Sequence, residues 1–326
     1  MRSRSASLVP GVLVSIVSLG AVAWWISGQE APRLPDSATG WTWLGVAALV
    51  VAANFTLRGL RWHFVMRHAG VPHRLRDAIG LTLVGYMGNN VLPARGGELL
   101  KIGLLGQRTT ARRREVLGTV IVERVLDAGV LAVLFVVLTW ANVKGSADAG
   151  ATPALVAAAL VAAALGLAVY VRLRSRGRFD RFAATIRPVA GAAKLFIRPA
   201  GIPLAAMSLV IWCMDGLSFM LMASALDVEL AFLPALAVIV LASLASAVPA
   251  APGYLGTFDA ALLVGLSAAG ITGGDAVSLL VLARFVYFVP VTFVGLGVLL
   301  LGYRDPRRQG RVSIEPRLGA APEGPR

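Results

Sequence analysis

Residues 88–101 read Gly88-Asn89-Asn90-Val91-Leu92-Pro93-Ala94-Arg95-Gly96-Gly97-Glu98-Leu99-Leu100-Lys101. They close an apolar stretch, 78–92, that is too short to cross ~30 Å of hydrocarbon, which takes about 20 helical residues. Pro93 stops a helix, and Gly96-Gly97 open backbone conformations closed to other residues. Arg58, Arg61, Arg67, Arg74 and Arg76 lie before this stretch, and Arg108, Arg112, Arg113 and Arg114 lie after it. Positive charge marks the cytoplasmic face of a membrane chain. Both ends of 78–105 are therefore expected on that face. The segment then enters the membrane and returns, as a re-entrant hairpin or two short helices. An ordinary cytoplasmic loop is the alternative reading.

The rest of the chain makes the membrane reading necessary. Of its 326 residues 57% are hydrophobic and 15% charged, where a soluble domain carries about 25% charged. Mean hydropathy is +0.75. One soluble core cannot hide that much apolar surface. A soluble enzyme, a nucleic-acid-binding domain and a disulfide-stapled module are excluded on this ground. The net charge of +14 sits in short basic clusters between apolar runs, which makes it a topology signal first and an attraction for anionic lipid second. Cys213 is the single cysteine.

Eight candidate membrane helices follow: 8–26, 43–64, 116–141, 153–171, 203–226, 232–248, 254–269 and 277–302. Basic residues cluster in 172–198 and after Gly302, whereas the loops 27–42, 142–152, 227–231 and 271–276 hold only Arg33 and Lys144. Both termini are thus expected in the cytoplasm, and 232–269 is expected to run in from the outside and back. The run 8–26 has features of a cleavable signal peptide, but Trp24-Trp25 reads better as an interfacial anchor. The predicted organisation is a basic N-terminus (1–7), one transmembrane domain (8–302) and a disordered basic tail (303–326). The fold class is an all-α polytopic membrane bundle with a re-entrant hairpin and broken half-helices.

Polar groups at membrane depth are costly and usually face a cavity or a partner. Four constellations stand out. In the first, Asn89 and Asn90 can satisfy backbone freed by the break. A helix starting near Gly97 would present free N–H groups to an anion, Arg95 adds a bidentate donor for phosphate, and Glu98 follows. The second is Pro249-Ala-Ala-Pro252-Gly253-Tyr254, a second break, with Asp259 just beyond it. A tight inter-helix turn is the plainer reading. Its placement corresponds to the first break, and paired interrupted segments point to a mid-membrane transporter site. The third is Glu123-Arg124-x-x-Asp127 on one helix, read as a structural ion pair, a functional charge cluster, or both. The fourth is Arg284 with Tyr287 one turn on, then Pro290; Asp215 and Asp259 are candidate partners of Arg284. His63, His68 and His73 are read as belonging to one basic loop, at a spacing of five that does not make a metal site. No P-loop or G-x-S-x-G motif occurs.

Taken in order, Asn89…Pro93-Ala-Arg95-Gly-Gly97-Glu98, Glu123-Arg124-x-x-Asp127, Pro252-Gly253-x-x-Gly256-x-x-Asp259 and Arg284-x-x-Tyr287-x-x-Pro290 resemble the lysylphosphatidylglycerol synthase transmembrane (flippase-like, UPF0104-type) family over nearly the whole chain. The resemblance implies movement of lipids across a bilayer. Larger members carry a fused aminoacyl-transferase domain, which this sequence does not include after its last helix, so that activity is not carried over. Some relatives are linked to glycosylation from lipid-linked sugars. Asp259 stands where members often have Glu. The expectation is therefore a lipid flippase of the cytoplasmic membrane. Its partners would be membrane lipids, anionic or lipid-linked, with a homo-oligomer or a lipid-modifying enzyme as further candidates and no nucleic acid. No cofactor, metal or catalytic residue is assigned. Asn89, Asn90, Arg95, Glu98, Glu123, Arg124, Asp127, Gly253, Asp259, Arg284 and Tyr287 are the expected substrate-facing set. A membrane transferase using a lipid-linked donor and a non-transporting partner subunit are the alternatives.

Overall fold

The computed structural model describes residues 20, 22, 24, 26–92, 95–145, 201–247 and 251–303, with 141–145 in backbone alone. Most of the predicted span 8–26, the span 153–171, the basic segment 172–198, Pro93, Pro249 and the tail beyond Tyr303 lie outside the described residues. Those described form an all-helical bundle. Its helices are α1 (Ala38–His68), α2 (Leu75–Val91), α3 (Gly96–Arg108), α4 (Arg113–Gly145), α5 (Gly201–Ser224), α6 (Phe232–Ala245), α7 (Thr257–Ala268) and α8 (Gly273–Gly302), with a 3₁₀ turn at Pro252–Tyr254. In hydrocarbon every backbone N–H and C=O must be satisfied within the chain, which favours helices throughout. Among the described helices, α1, α5 and α8 are long and apolar enough to cross a membrane.

Side-chain contacts define two ends. Arg108, at the end of α3, donates to Asp77 in the first turn of α2 at 2.9 Å and also to the carbonyl of Gly302 at the end of α8. The Tyr303 hydroxyl donates to the same Asp77 carboxylate at 3.2 Å. Burial and the neighbouring Asp77 charge push the Tyr303 phenol well above its ordinary pKa. The start of α2 and the ends of α3 and α8 therefore share one level, the basic end. At the other end, Arg33 pairs with Asp275 in the first turn of α8 at 2.8 Å. There, too, Gly40 lies so close to the Ala225 carbonyl that a Cβ would stand 2.6 Å from it.

Two helical hairpins follow from this geometry. The α2–α3 hairpin opens at the basic end, and its limbs of 17 and 13 residues reach about 25 and 20 Å at ~1.5 Å per residue. The α6–α7 hairpin opens at the opposite end. Their tips meet inside the bundle: Arg95 Nη2 donates to the Ser246 carbonyl at 2.5 Å, and its guanidinium lies 5.4 Å from the Tyr254 ring centre. Both Arg95 (φ 56°) and Tyr254 (φ 55°) occupy the left-handed region.

Packing is divided in the same way. One apolar cluster surrounds the second hairpin and includes Ala47, Val51, Phe219, Ile239, Leu262 and Leu279. A second, at the basic end, includes Trp62, Met66, Leu81, Leu105 and Val116. Along α1, Asn54, Arg58 and Arg61 fall between the residues that join these clusters, and all three are buried. Arg58 and Arg61, read from the sequence as topology charges at the end of a span, are thus interior residues. Their spacing of three and four puts them on one face of α1 together with Asn54, and that face looks inward. The histidines also depart from the single-loop reading. His63 and His68 belong to α1, and His63 Nδ1 lies 2.8 Å from His73 Nε2.

Candidate functional site

The layer between the two apolar clusters holds a cavity of about 390 Å³, within the size range of small-molecule sites. Arg58, Arg95, Arg124, Asp127 and Asp215 supply its charges, and Trp212, Tyr86 and Tyr254 are among its aromatic walls. A narrower polar recess, lined by Glu98, Lys101 and Glu123 among others, adjoins it around Arg58, Tyr86 and Arg124.

The charges are held by pairs that cross between helices. Arg58 on α1 donates to Asp215 on α5 at 2.5 Å and to the Tyr86 hydroxyl at 3.0 Å, while Asn54 donates to the other Asp215 oxygen at 2.5 Å. Arg61 forms a bidentate pair with Asp127 on α4, at 2.6 and 3.1 Å, and donates to Ser208 on α5 at 2.6 Å. Lys101 on α3 donates to Glu123 at 2.8 Å and sits 3.6 Å from the Trp62 ring centre. Arg124 pairs with Glu98 in the first turn of α3. Glu123, Arg124 and Asp127 thus pair across the bundle instead of with one another: Arg124 with Glu98, Glu123 with Lys101, and Asp127 with Arg61, whose guanidinium also lies 3.8 Å from Glu123. A buried charge persists only when paired and hydrogen-bonded, so this lattice fixes how α1, α3, α4 and α5 sit around the cavity.

Arg95 differs. It lines the cavity, donates to Ser246 and faces Tyr254, and among the described residues no carboxylate lies within ion-pair distance of it. The Arg124 side chain keeps 39% of its surface exposed although it stands mid-bundle. Arg124 is also among the residues that line the cavity.

The expected site residues divide as follows. Asn90, Arg95, Arg124, Asp127 and Tyr287 line the main cavity. Glu98 and Glu123 line the adjoining recess. Asn89 is buried beneath Gly97, where a Cβ would stand 2.7 Å from its Oδ1. Gly253, Asp259 and Arg284 form the support of the second tip. Arg284 Nε donates to Asp259 at 2.6 Å and its Nη1 to the Gly253 carbonyl at 2.6 Å. Asp259 also accepts from Gly256 N at 2.8 Å, closing the first turn of α7. Of the two acids open as partners of Arg284, the structure pairs it with Asp259 and gives Asp215 to Arg58. The Tyr287 hydroxyl bonds Ser218 at 2.8 Å and the Asp215 carbonyl at 3.0 Å. Asn90 donates to Thr292 Oγ1 at 2.9 Å and to the Phe288 carbonyl at 3.3 Å, bracketing Pro290. Sequence reasoning missed Asn54, Arg58, Arg61 and Lys101. The first three carried a signal in their shared helix face; Lys101 carried one in its i,i+3 relation to Glu98.

An all-helical membrane bundle with two opposed hairpins around a charged interior cavity is an integral membrane protein with a built intramembrane polar site. The chain belongs to the lysylphosphatidylglycerol synthase TM region family, whose model matches residues 9–295. It is 24% identical, over 92% of its length and 96% of the relative's, to a UPF0104 membrane protein of Methanothermobacter thermautotrophicus. A second UPF0104 membrane protein of that organism is 23% identical over 86% of this chain and 90% of its own. A protein named Glycosyltransferase AglD from Haloferax volcanii is 24% identical over 91% of this chain, which spans 55% of that relative's length.

Proposed function

We propose that the protein is a lipid flippase or transporter that passes a polar or anionic head group through the charged cavity while the acyl tails stay in the bilayer. The observation that carries this reading is the meeting of two hairpin tips, entered from opposite ends, on a cavity of about 390 Å³ lined by three arginines. Broken segments of this kind are where transporters bind substrate, because freed backbone is tolerated there only when it lines a cavity. We place the protein in the cytoplasmic membrane with its basic end and both termini facing the cytoplasm, following the distribution of Lys and Arg. The partners of this function are membrane lipids.

The test is translocation of fluorescent phospholipids in proteoliposomes containing the purified protein. Arg95→Ala and Glu98→Gln are expected to slow movement by roughly tenfold or more, the weight of one charge-assisted contact. Wild-type rates in both variants would remove these residues from the mechanism. A second reading, a membrane transferase using a lipid-linked donor, is favoured by the glycosyltransferase name of the Haloferax relative. Transfer of a labelled donor group to lipid by the purified protein would establish it.

A further inference from the structure

We infer that the protein moves as two bodies joined at Pro290, each made of one hairpin and one half of α8. The inference rests on the transport reading above and names its moving parts. It starts from Pro290, which the chemistry of the cavity leaves without a role. Pro290 lies inside α8. It lacks the N–H that would bond the Val286 carbonyl, and its ring crowds that carbonyl. Two residues on, Thr292 Oγ1 donates back to the Phe288 carbonyl at 2.6 Å, a bond that favours bending of a helix. Both features fall on the same turn, so α8 resists bending least there.

The half of α8 before Pro290 belongs to the α6–α7 hairpin. Leu279, Ala283 and Val286 share an apolar cluster with Val238 and Ile239 on α6 and with Leu262 and Leu266 on α7. Arg284 holds the second tip through Asp259 and the Gly253 carbonyl, each at 2.6 Å. The half after Pro290 belongs to the α2–α3 hairpin. Gly295 lies so close to α2 that a Cβ would stand 2.6 Å from the Leu83 carbonyl oxygen and 2.6 Å from Met87 Cβ. Thr292 Oγ1 accepts from Asn90 at the first tip, at 2.9 Å. The Gly302 carbonyl accepts from Arg108, and Tyr303 donates to Asp77. The helix thus changes partner hairpin at its proline.

Between the bodies the tips touch through Arg95, which meets Ser246 and Tyr254, and these three residues line the cavity. A bend at Pro290 slides one tip past the other while each hairpin keeps its own packing. Hinged bodies around a ligand site are a common route to switching its access. Asn90 and Arg284 are positioning residues in this motion, each tying one tip to α8. Asn90 also donates to the Phe288 carbonyl just before the proline, at 3.3 Å, and that is the bond a bend would trade.

The test is made on the full-length protein in proteoliposomes, with Cys213→Ser as background. Pairs of nitroxide labels on exposed positions report distances by electron–electron resonance. Leu99→Cys with Val264→Cys reads across the bodies. Leu99→Cys with Phe293→Cys, and Val264→Cys with Val281→Cys, read within them. The expected result is two distances across the bodies and one narrow distance within each. Pro290→Ala should leave one distance across, raise the melting temperature by a few degrees and slow movement of fluorescent phospholipids about tenfold. Pro290→Gly, which keeps the joint soft, should move lipid within about twofold of wild type. One narrow distance across the bodies in the wild type overturns the hinge, as does a Pro290→Ala variant with wild-type distances and transport. Equal broadening within a body overturns the division into two. A Pro290→Gly variant as slow as Pro290→Ala overturns bending as the role of the proline. Two distances that Pro290→Ala reduces to one, without movement of any lipid by the wild type, overturn the transport reading and leave the hinge in place.

Discussion

Arg61 is 2% exposed and spends its guanidinium on both oxygens of Asp127 and on Ser208. Removing one member of a buried pair leaves the other charged and alone, at a cost of about 3–5 kcal/mol. Arg61→Ala and Asp127→Asn should each destabilise the bundle by that order. The double replacement Arg61→Met with Asp127→Leu should recover most of the loss, because no charge is then stranded. Thermal unfolding in detergent checks both. If both single variants melt like the wild type, the pair does not hold the helices. At this scale the sequence was only partly legible. Polar residues at membrane depth were visible as a class, and the interruptions at Asn89–Glu98 and Pro252–Asp259 stood out. The partners were not. A helix face shows which way a side chain points, not which neighbour it meets, so Arg284 stayed open between Asp215 and Asp259. Arg58 and Arg61 were misassigned because counting basic residues near a helix end ignores the face they share.

The α2–α3 hairpin depends on close backbone approach. A Cβ on Gly97 would stand 1.9 Å from the Gly85 carbonyl oxygen and 2.6 Å from Asn89 N. Nothing can yield there without parting the two helices, since the atoms met are backbone. Gly97→Ala should destabilise by at least the ~1–3 kcal/mol of ordinary overpacking. It should also lower transport, because α3 carries Glu98 and Lys101. Gly103 lies on the same helix, and a Cβ there would meet nothing within 4 Å. Gly103→Ala should therefore be neutral or stabilising by up to ~1 kcal/mol through helix propensity. The contrast between the two variants in thermal stability is the measurement. The hairpin itself was readable beforehand from Pro93, Gly96-Gly97 and basic residues on both sides. Its exact limbs were not: the apolar stretch 78–92 proved to be a helix from Leu75 to Val91, extended by a polar first turn in which Asp77 meets Arg108.

For the whole molecule, the paired hairpins give the bundle two distinguishable ends, and our placement of the basic one in the cytoplasm is open to a direct check. With Cys213 replaced by Ser, Glu229→Cys should react with a membrane-impermeant maleimide added to intact cells. Arg67→Cys should react only after the cells are opened. Both positions are exposed in loops or at a helix end. The reverse pattern would invert the topology and, with it, the proposed side from which each hairpin is entered.

Among the described residues each tip holds one non-glycine residue at positive φ, Arg95 and Tyr254, and these two residues touch. That backbone conformation costs roughly 1–2 kcal/mol per residue. The joint between the hairpins is therefore preloaded: the Arg95–Ser246 hydrogen bond and the Arg95–Tyr254 contact hold two backbone conformations that would relax if the tips came apart, so part of what those contacts supply is stored as strain.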